Sequence, residues 1–105
     1  MGKNRNIQII GKLIGGMAAH KILEKYTNKK ESLNHLRAEV DNYKDNVSYY
    51  IKGHNWNSDN KNRIKEEAKK RIKIELKEPH FNDVSIPAGE IEIFLNQIIK
   101  EFFKD

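Results

Sequence analysis

The middle of the chain carries apolar residues at alternating intervals of three and four, the repeat of a helix with one buried side. They are Leu33, Leu36, Val40, Tyr43, Val47 and Tyr50. A helix with one apolar side is stable only when that side is covered, so the chain must supply further helices or recruit a partner chain. The pattern therefore predicts an all-α fold, whereas it leaves the activity open.

The length and the composition restrict the fold further. A chain of 105 residues has the size of one small domain, and we expect residues 1–105 to form a single helical domain. The chain has no cysteine, which excludes disulfides, thiolate metal sites and cysteine nucleophiles. No stretch reaches the roughly 18 consecutive apolar residues of a membrane-spanning helix, so we expect a cytoplasmic protein.

Two helices are predicted in the first half of the chain. The first runs from about Asn6 to Tyr26, because its apolar residues share one arc at about 100° per residue. The second helix carries the apolar stripe. Asn28 is suited to cap its start, and Gly53 is suited to the left-handed conformation that often ends a helix.

Two more helices are predicted in the second half. One extends from about Asp59 to Lys77, with Ser58 or Asp59 as its cap. The other begins near Ser85 and Pro87, since proline is tolerated in the first turn of a helix. About four helices joined by short connections are typical of a compact antiparallel or irregular bundle.

The end of the third predicted helix is ambiguous. Ile72, Ile74 and Leu76 alternate with charged residues, as the residues of a β-strand would. A helix is favoured for residues 71–77, because a single short strand would have no neighbour to complete its backbone hydrogen bonds. The strand is the alternative.

Small residues form a ridge along the first predicted helix. Gly11, Gly15 and Ala19 recur every four residues and therefore lie near one another on that helix. Small side chains at this spacing allow a second helix to approach closely. The ridge is either a tight contact inside the core or a surface for a partner protein.

The sequence contains no recognisable constellation for catalysis. Its histidines are scattered and match neither a zinc motif nor a di-iron motif; they are His20, His35, His54 and His80. No serine lies in a Gly-x-Ser-x-Gly context, and the glycines of the first helix lack the Gly-Lys-Ser/Thr of a phosphate loop. We therefore predict a protein that is not an enzyme and uses no metal or cofactor.

Positive charge is concentrated on the third predicted helix of a chain whose net charge is +5. The candidate phosphate contacts there are Lys61, Arg63, Lys65, Lys69, Lys70 and Lys73. The lysines at 61, 65, 69 and 73 recur every four residues, so we expect an outward-facing row that neutralises successive phosphates of a nucleic acid, assisted by Arg5 and Lys12. The alternative is a solvated helix face that binds nothing.

Aromatic residues precede this basic helix. Tyr49 and Tyr50 lie close in sequence to Lys52, His54 and Trp56. Aromatic rings beside cations are typical of single-stranded nucleic-acid sites and of protein–protein hot spots. For Trp56, closing one end of the bundle is an equal alternative.

Two functional hypotheses follow from these features. In the first, the protein is a non-catalytic helical interaction module that docks a partner protein or forms a homo-oligomer. Its contact residues would be Gly11, Gly15, Ala19, Tyr49 and Trp56, or the outer residues Ile93, Ile99 and Phe103 of the last helix. In the alternative, the basic helix at residues 61–77 binds DNA or RNA through phosphates. Binding of the cationic N-terminal helix to a membrane surface is a third hypothesis and is not favoured.

Overall fold

The computed structural model of the protein describes residues 2–26, 33–52, 55–77 and 89–103. These residues form α1 (Gly2–Tyr26), α2 (Leu33–Ile51), α3 (Ser58–Glu75) and α4 (Glu90–Phe102). No β-strand occurs in these ranges, and the predicted all-α fold with four helices is confirmed. Several predicted helix limits lie outside the described residues: the cap at Asn28, the end at Gly53 and the start near Ser85 and Pro87. His54 and His80 lie outside them as well.

α1 occupies the centre of the bundle, and α2, α3 and α4 each pack against it. Because α1 has neighbours on several sides, its buried residues extend well beyond one arc. They are Ile7, Ile10, Gly11, Ile14, Gly15, Gly16, Met17, Ala18, Ala19, Ile22 and Leu23. A helix with so little exposed surface needs few polar residues, and those that α1 does expose in its first half form one narrow stripe.

α2 and α4 run antiparallel to α1. Glu24, near the end of α1, pairs with Arg37 in the first part of α2, with 2.8 Å between Oε1 and Nε. Lys25 pairs with Glu90 at the start of α4, with 3.0 Å between Nζ and Oε1. These contacts join the end of α1 to the beginnings of both other helices, as an up-and-down bundle requires.

α3 runs parallel to α1 and approaches it closely at two glycines. A Cβ placed on Gly11 would lie 2.4 Å from Cβ of Glu67, and one placed on Gly15 would lie 2.7 Å from the carbonyl oxygen of Ala68 and 2.6 Å from Cβ of Arg71. Such distances leave no room for a side chain. Glycine is therefore required at both positions by the approach of a second backbone.

The ridge of small residues is accordingly buried inside the molecule. Gly11 and Gly15 face α3, and Ala19 is fully buried in a cluster with Leu23 and Leu36. The ridge was interpreted as either a tight contact in the core or a surface for a partner protein, and the structure corresponds to the tight core contact. The ridge does not offer these residues to a partner protein, because the bundle itself covers them.

The apolar stripe of α2 faces the centre of the bundle. Leu36, Val40 and Val47 are buried, and Tyr43 and Tyr50 are half-buried against the core. The side chain of Leu33 lies outside the described part of the chain. The buried side predicted from the three-four spacing is thus present in α2.

α3 starts with a capping box. The Asn57 side-chain oxygen accepts a hydrogen bond from the amide of Asn60 at 2.8 Å, and the Asn60 side chain accepts one from the amide of Asn57 at 3.3 Å. The predicted cap at Ser58 or Asp59 is therefore wrong. Asparagine takes the position because its side-chain oxygen reaches the amide three residues further on.

The ambiguous segment at the end of α3 is helical up to Glu75. Ile72 is fully buried, whereas Ile74 is 53% exposed, because two residues of an α-helix turn the side chain by about 200°. The alternation that resembles a strand thus comes from one isoleucine that faces solvent.

Trp56 closes one end of the bundle. Its ring meets Phe103 edge to face with 5.9 Å between centroids, and its indole N–H donates to the Ile51 carbonyl oxygen at 3.1 Å. Phe103 is buried and Ile99 packs against the core, whereas Ile93 stays exposed. Of the two alternatives for Trp56, the structure corresponds to closure of the bundle end, and Phe103 is covered by the bundle itself.

Candidate nucleic-acid interface

The predicted row of lysines on α3 is divided by the geometry of the helix. Four residues advance by about 400°, so each step of the row turns about 40° around the helix axis. Lys65 and Lys69 consequently face α4, where their Nζ atoms lie 2.9 Å and 2.6 Å from the carboxylate of Glu92. Lys61 is half-buried and already interacts with a neighbouring group, while Lys73 is exposed. The expectation of one outward row is therefore wrong.

The two salt bridges change the ionisation of Glu92. Hydrogen bonds from Lys69 and Lys65 stabilise its carboxylate and lower the pKa of Glu92 to about 2. The same contact raises the pKa of Lys69 above its ordinary value, mainly through its hydrogen bond to Glu92. Glu92 therefore ties α3 to α4 and occupies two of the cations proposed for phosphate binding.

We expect this tie to make stability depend on pH in an acidic window. The pKa of Glu92 falls from 4.5 to about 2 on folding, so its stabilising contribution is complete above about pH 4.5 and is lost as the pH falls towards 2. Glu92→Gln should unfold at lower urea concentration than the parent near neutral pH, and the difference should disappear near pH 2. Glu66→Gln is the matched control, because it removes a carboxylate that faces the same Lys69 but at the longer distance of 3.8 Å. It should change the stability less than Glu92→Gln does. A difference that persists at pH 2 would contradict this role.

The remaining cations of α3 face away from α4. Arg63 and Lys70 are seven residues apart and so share one side of the helix. The Arg63 guanidinium donates to Oδ1 of Asn4 at 3.2 Å, which places this side beside the first turns of α1. Lys70 lies 3.6 Å from Glu67, and both cations are exposed.

The exposed stripe of α1 runs along the same region. Arg5, Gln8 and Lys12 follow one another at intervals of three and four, and all are exposed. Neither Arg5 nor Lys12 forms an ion pair within the described residues. The stripe lies on a different side of α1 from the fully buried Ile10 and Ile14.

α2 approaches α3 near the middle of α1. The Tyr43 ring lies over Gly16, where an added Cβ would be 2.8 Å from the ring, and Arg71 of α3 lies over the adjacent Gly15. Arg71 in turn donates to the buried carboxylate of Glu75, with 2.8 Å between Nη2 and Oε1. Burial raises the pKa of Tyr43, and the negative charges of Glu75 and Glu39 raise it further. Tyr43 therefore marks the side of α2 that faces α3.

Between this point and the start of α1 the two outer helices stand apart. α2 and α3 each pack along α1 but make only slight contact with one another. We call the space between them the α2–α3 cleft. Helix register assigns Arg5, Gln8 and Lys12 to its floor and Arg63, Glu67 and Lys70 to the α3 wall, where Glu66 also lines the recess beside Gln8. The same register assigns Asn46 and Tyr50 to the α2 wall, and Tyr49 stands next to Tyr50. Asn46 and Tyr50 belong to this wall because they follow Tyr43 by three and seven residues.

An aromatic pair stands at the end of α2. The rings of Tyr49 and Tyr50 are perpendicular with 5.3 Å between centroids, and Tyr49 is 75% exposed. Together with Asn6 and Lys52 they line a shallow recess of about 500 Å³. Two of the predicted aromatic residues are thus brought together with Lys52, while Trp56 is engaged at the bundle end.

No side-chain set suited to metal binding is found in the described part of the chain. It contains no group of three histidine, aspartate or glutamate residues placed to hold one ion. His20 instead lies with Nδ1 2.8 Å from the Gly16 carbonyl oxygen, and His35 lies 3.7 Å from the Glu39 carboxylate.

Sequence reasoning found some of these residues and missed others. Arg5, Lys12, Arg63 and Lys70 were recognisable as cations, but the grouping of these four depends on how the helices dock. Glu92 carries no signal in the sequence, because its two lysine partners belong to another helix.

Within the described ranges each helix is too short or too polar to reach across a lipid bilayer. Comparison of the chain with protein-family models, curated proteins and solved structures finds no match.

Proposed function

We propose that the protein is a non-catalytic nucleic-acid-binding module that contacts phosphates through the α2–α3 cleft. Four cations line the cleft, and two carboxylates stand beside them, because Glu66 and Glu67 share a recess with Gln8 and Arg63. The cations are Arg5, Lys12, Arg63 and Lys70. Cations spread along a cleft attract a polyanion and release its counterions when they bind phosphates. This arrangement supports the nucleic-acid-binding alternative predicted from the sequence. The proposed contact residues differ from the predicted ones, because Lys65 and Lys69 are replaced by Arg5 and Lys12 as the main contacts beside Arg63 and Lys70.

The observation that carries the proposal is which of the cations already form an ion pair with a carboxylate. Arg5 and Lys12 on the floor form no ion pair with any described residue, whereas Lys65 and Lys69 outside the cleft are held by Glu92. A lysine that already has a carboxylate partner must lose that partner before it can bind a phosphate. Arg5 and Lys12 can therefore bind phosphates without the loss of an ion pair, whereas Lys70 must first leave Glu67.

The surface offers less support for docking of a partner protein. Among the residues that the structure describes, the most exposed large apolar side chains are Tyr49, Ile74 and Ile93, and they belong to three different helices. Protein interfaces are built around a contiguous buried patch. The ridge and the bundle end, which the sequence offered for this purpose, are occupied within the monomer.

A salt titration of binding to short DNA and RNA tests the proposal. If each of the four cleft cations neutralises one phosphate, affinity should fall about 50-fold for a single strand and about 150-fold for duplex DNA as salt rises from about 50 mM to about 200 mM. Arg63→Glu combined with Lys70→Glu should lower affinity at low salt by at least about tenfold and reduce the dependence on salt.

The matched control is Lys73→Glu combined with Lys100→Glu. It makes the same change in net charge at exposed residues of α3 and α4 outside the cleft, so it should weaken binding far less. Glu67→Gln removes the carboxylate beside Lys70 and should strengthen binding. Equal losses in the two double variants would show that only net charge matters, and no binding by the parent at low salt would refute the proposal. A mass that rises with concentration in light scattering would favour self-association instead.

A further inference from the structure

We infer that the nucleic acid bound in the α2–α3 cleft is single-stranded and that one of its bases stacks on Tyr49. The inference rests on the proposed function and adds the class of ligand. It depends on the width of the cleft and on the exposure of the aromatic pair at its rim.

The cleft is narrow because both of its walls pack on the same helix. α2 and α3 each contact α1, so the floor between them is one helix wide, about 10 Å including side chains. A duplex keeps its bases stacked on one another and presents only its backbone and base edges to such a cleft. A single strand can place its phosphates along the floor and turn the faces of its bases to the wall.

Tyr49 is suited to receive such a base face. It is the most exposed of the large apolar side chains of the described residues, and its neighbour Tyr50 holds it in perpendicular contact. A ring positioned by a neighbour loses little further freedom when a base stacks on it. Stacking of bases on aromatic side chains is the contact that single-strand-binding proteins share.

The charges around the aromatic pair agree with this ligand. Lys52 lines the recess beside Tyr49 and Tyr50, and Arg5 stands on the same turn of α1 as Asn6, about 100° around the helix from it. Asp45 is the nearest acid on α2, one helical turn before Tyr49. A phosphate that follows the stacked base into the recess would therefore meet Lys52.

The test compares three labelled ligands of about 12 nucleotides by fluorescence anisotropy: an oligothymidine strand, an abasic strand of the same length and a duplex. The proteins are the parent, Tyr49→Ala and Tyr49→Phe. We expect the parent to bind the thymidine strand most tightly. Tyr49→Ala should lose about tenfold in affinity for that strand and nothing for the abasic strand, and Tyr49→Phe should behave like the parent.

The outcomes separate this inference from the proposed function. Equal losses of Tyr49→Ala on the thymidine and abasic strands, or tighter binding of the duplex, would overturn the inference while phosphate binding in the cleft stands. Binding of none of the three ligands by the parent at low salt would refute both. Because Tyr49 is mostly exposed, circular dichroism should show that both variants fold like the parent.

Discussion

Gly15→Leu is expected to destabilise the protein by about 3 kcal/mol, a large share of the 5 to 15 kcal/mol that small domains have. A Cβ at this position would lie 2.7 Å from the carbonyl oxygen of Ala68 and 2.6 Å from Cβ of Arg71. The backbone of α3 cannot yield to a side chain unless α1 and α3 separate. Separation would open the most extensive of the contacts between α1, α2, α3 and α4, and the floor of the cleft with it.

The experiment is urea unfolding followed by circular dichroism. Gly15→Ala should cost less than Gly15→Leu, because the gain of about 1 kcal/mol in helix propensity opposes a smaller clash. Gly89→Ala is the control, since an added Cβ there meets nothing within 4 Å. If Gly15→Leu were as stable as Gly89→Ala, α1 and α3 could not approach one another as described.

Leu95→Ala should also destabilise the protein by about 3 kcal/mol, because truncation of a buried leucine loses apolar burial and leaves a cavity. Leu95 is fully buried on α4, a helix of 13 residues that packs mainly on α1. The polar attachments of α4 are partly exposed; they include the bonds from Tyr26 and Lys25 to Glu90 at 2.7 Å and 3.0 Å and the salt bridges of Glu92. Partly exposed ion pairs contribute little, so the buried apolar residues carry most of the docking of α4. Loss of Leu95 should therefore weaken the docking of α4 as a whole.

Thermal unfolding and urea unfolding both measure this effect. Ile93→Ala is the matched control on the same helix, because Ile93 is 52% exposed and its truncation leaves no cavity. A cost for Ile93→Ala equal to that for Leu95→Ala would mean that α4 docks through a different face.

Local patterns were sufficient to predict the helices but not all of their boundaries. The stripe with Leu36, Val40 and Val47 predicts α2 because helix periodicity depends only on neighbours in sequence. The cap of α3 was misplaced because asparagine, serine and aspartate are nearly equivalent caps, and three candidates stand in a row from position 57.

The candidate site was predicted less well, for a different reason. Lys69 and Lys70 are neighbours in sequence, yet Lys69 is held by Glu92 whereas Lys70 lies at the cleft. About 100° of helix rotation separates them. Which of the two directions meets a carboxylate depends on where α4 docks, and no periodicity in α3 contains that information.

The sequence alone determined that this chain forms amphipathic helices, that it carries excess positive charge and that small residues allow a close helix contact, because each of these is a property of composition or of short-range spacing. Only the tertiary structure decided that α3 covers Gly11 and Gly15, that Glu92 occupies two lysines and that a cationic cleft stays open above α1. These are contacts between residues far apart in the chain, and their free energies depend on how all four helices pack together.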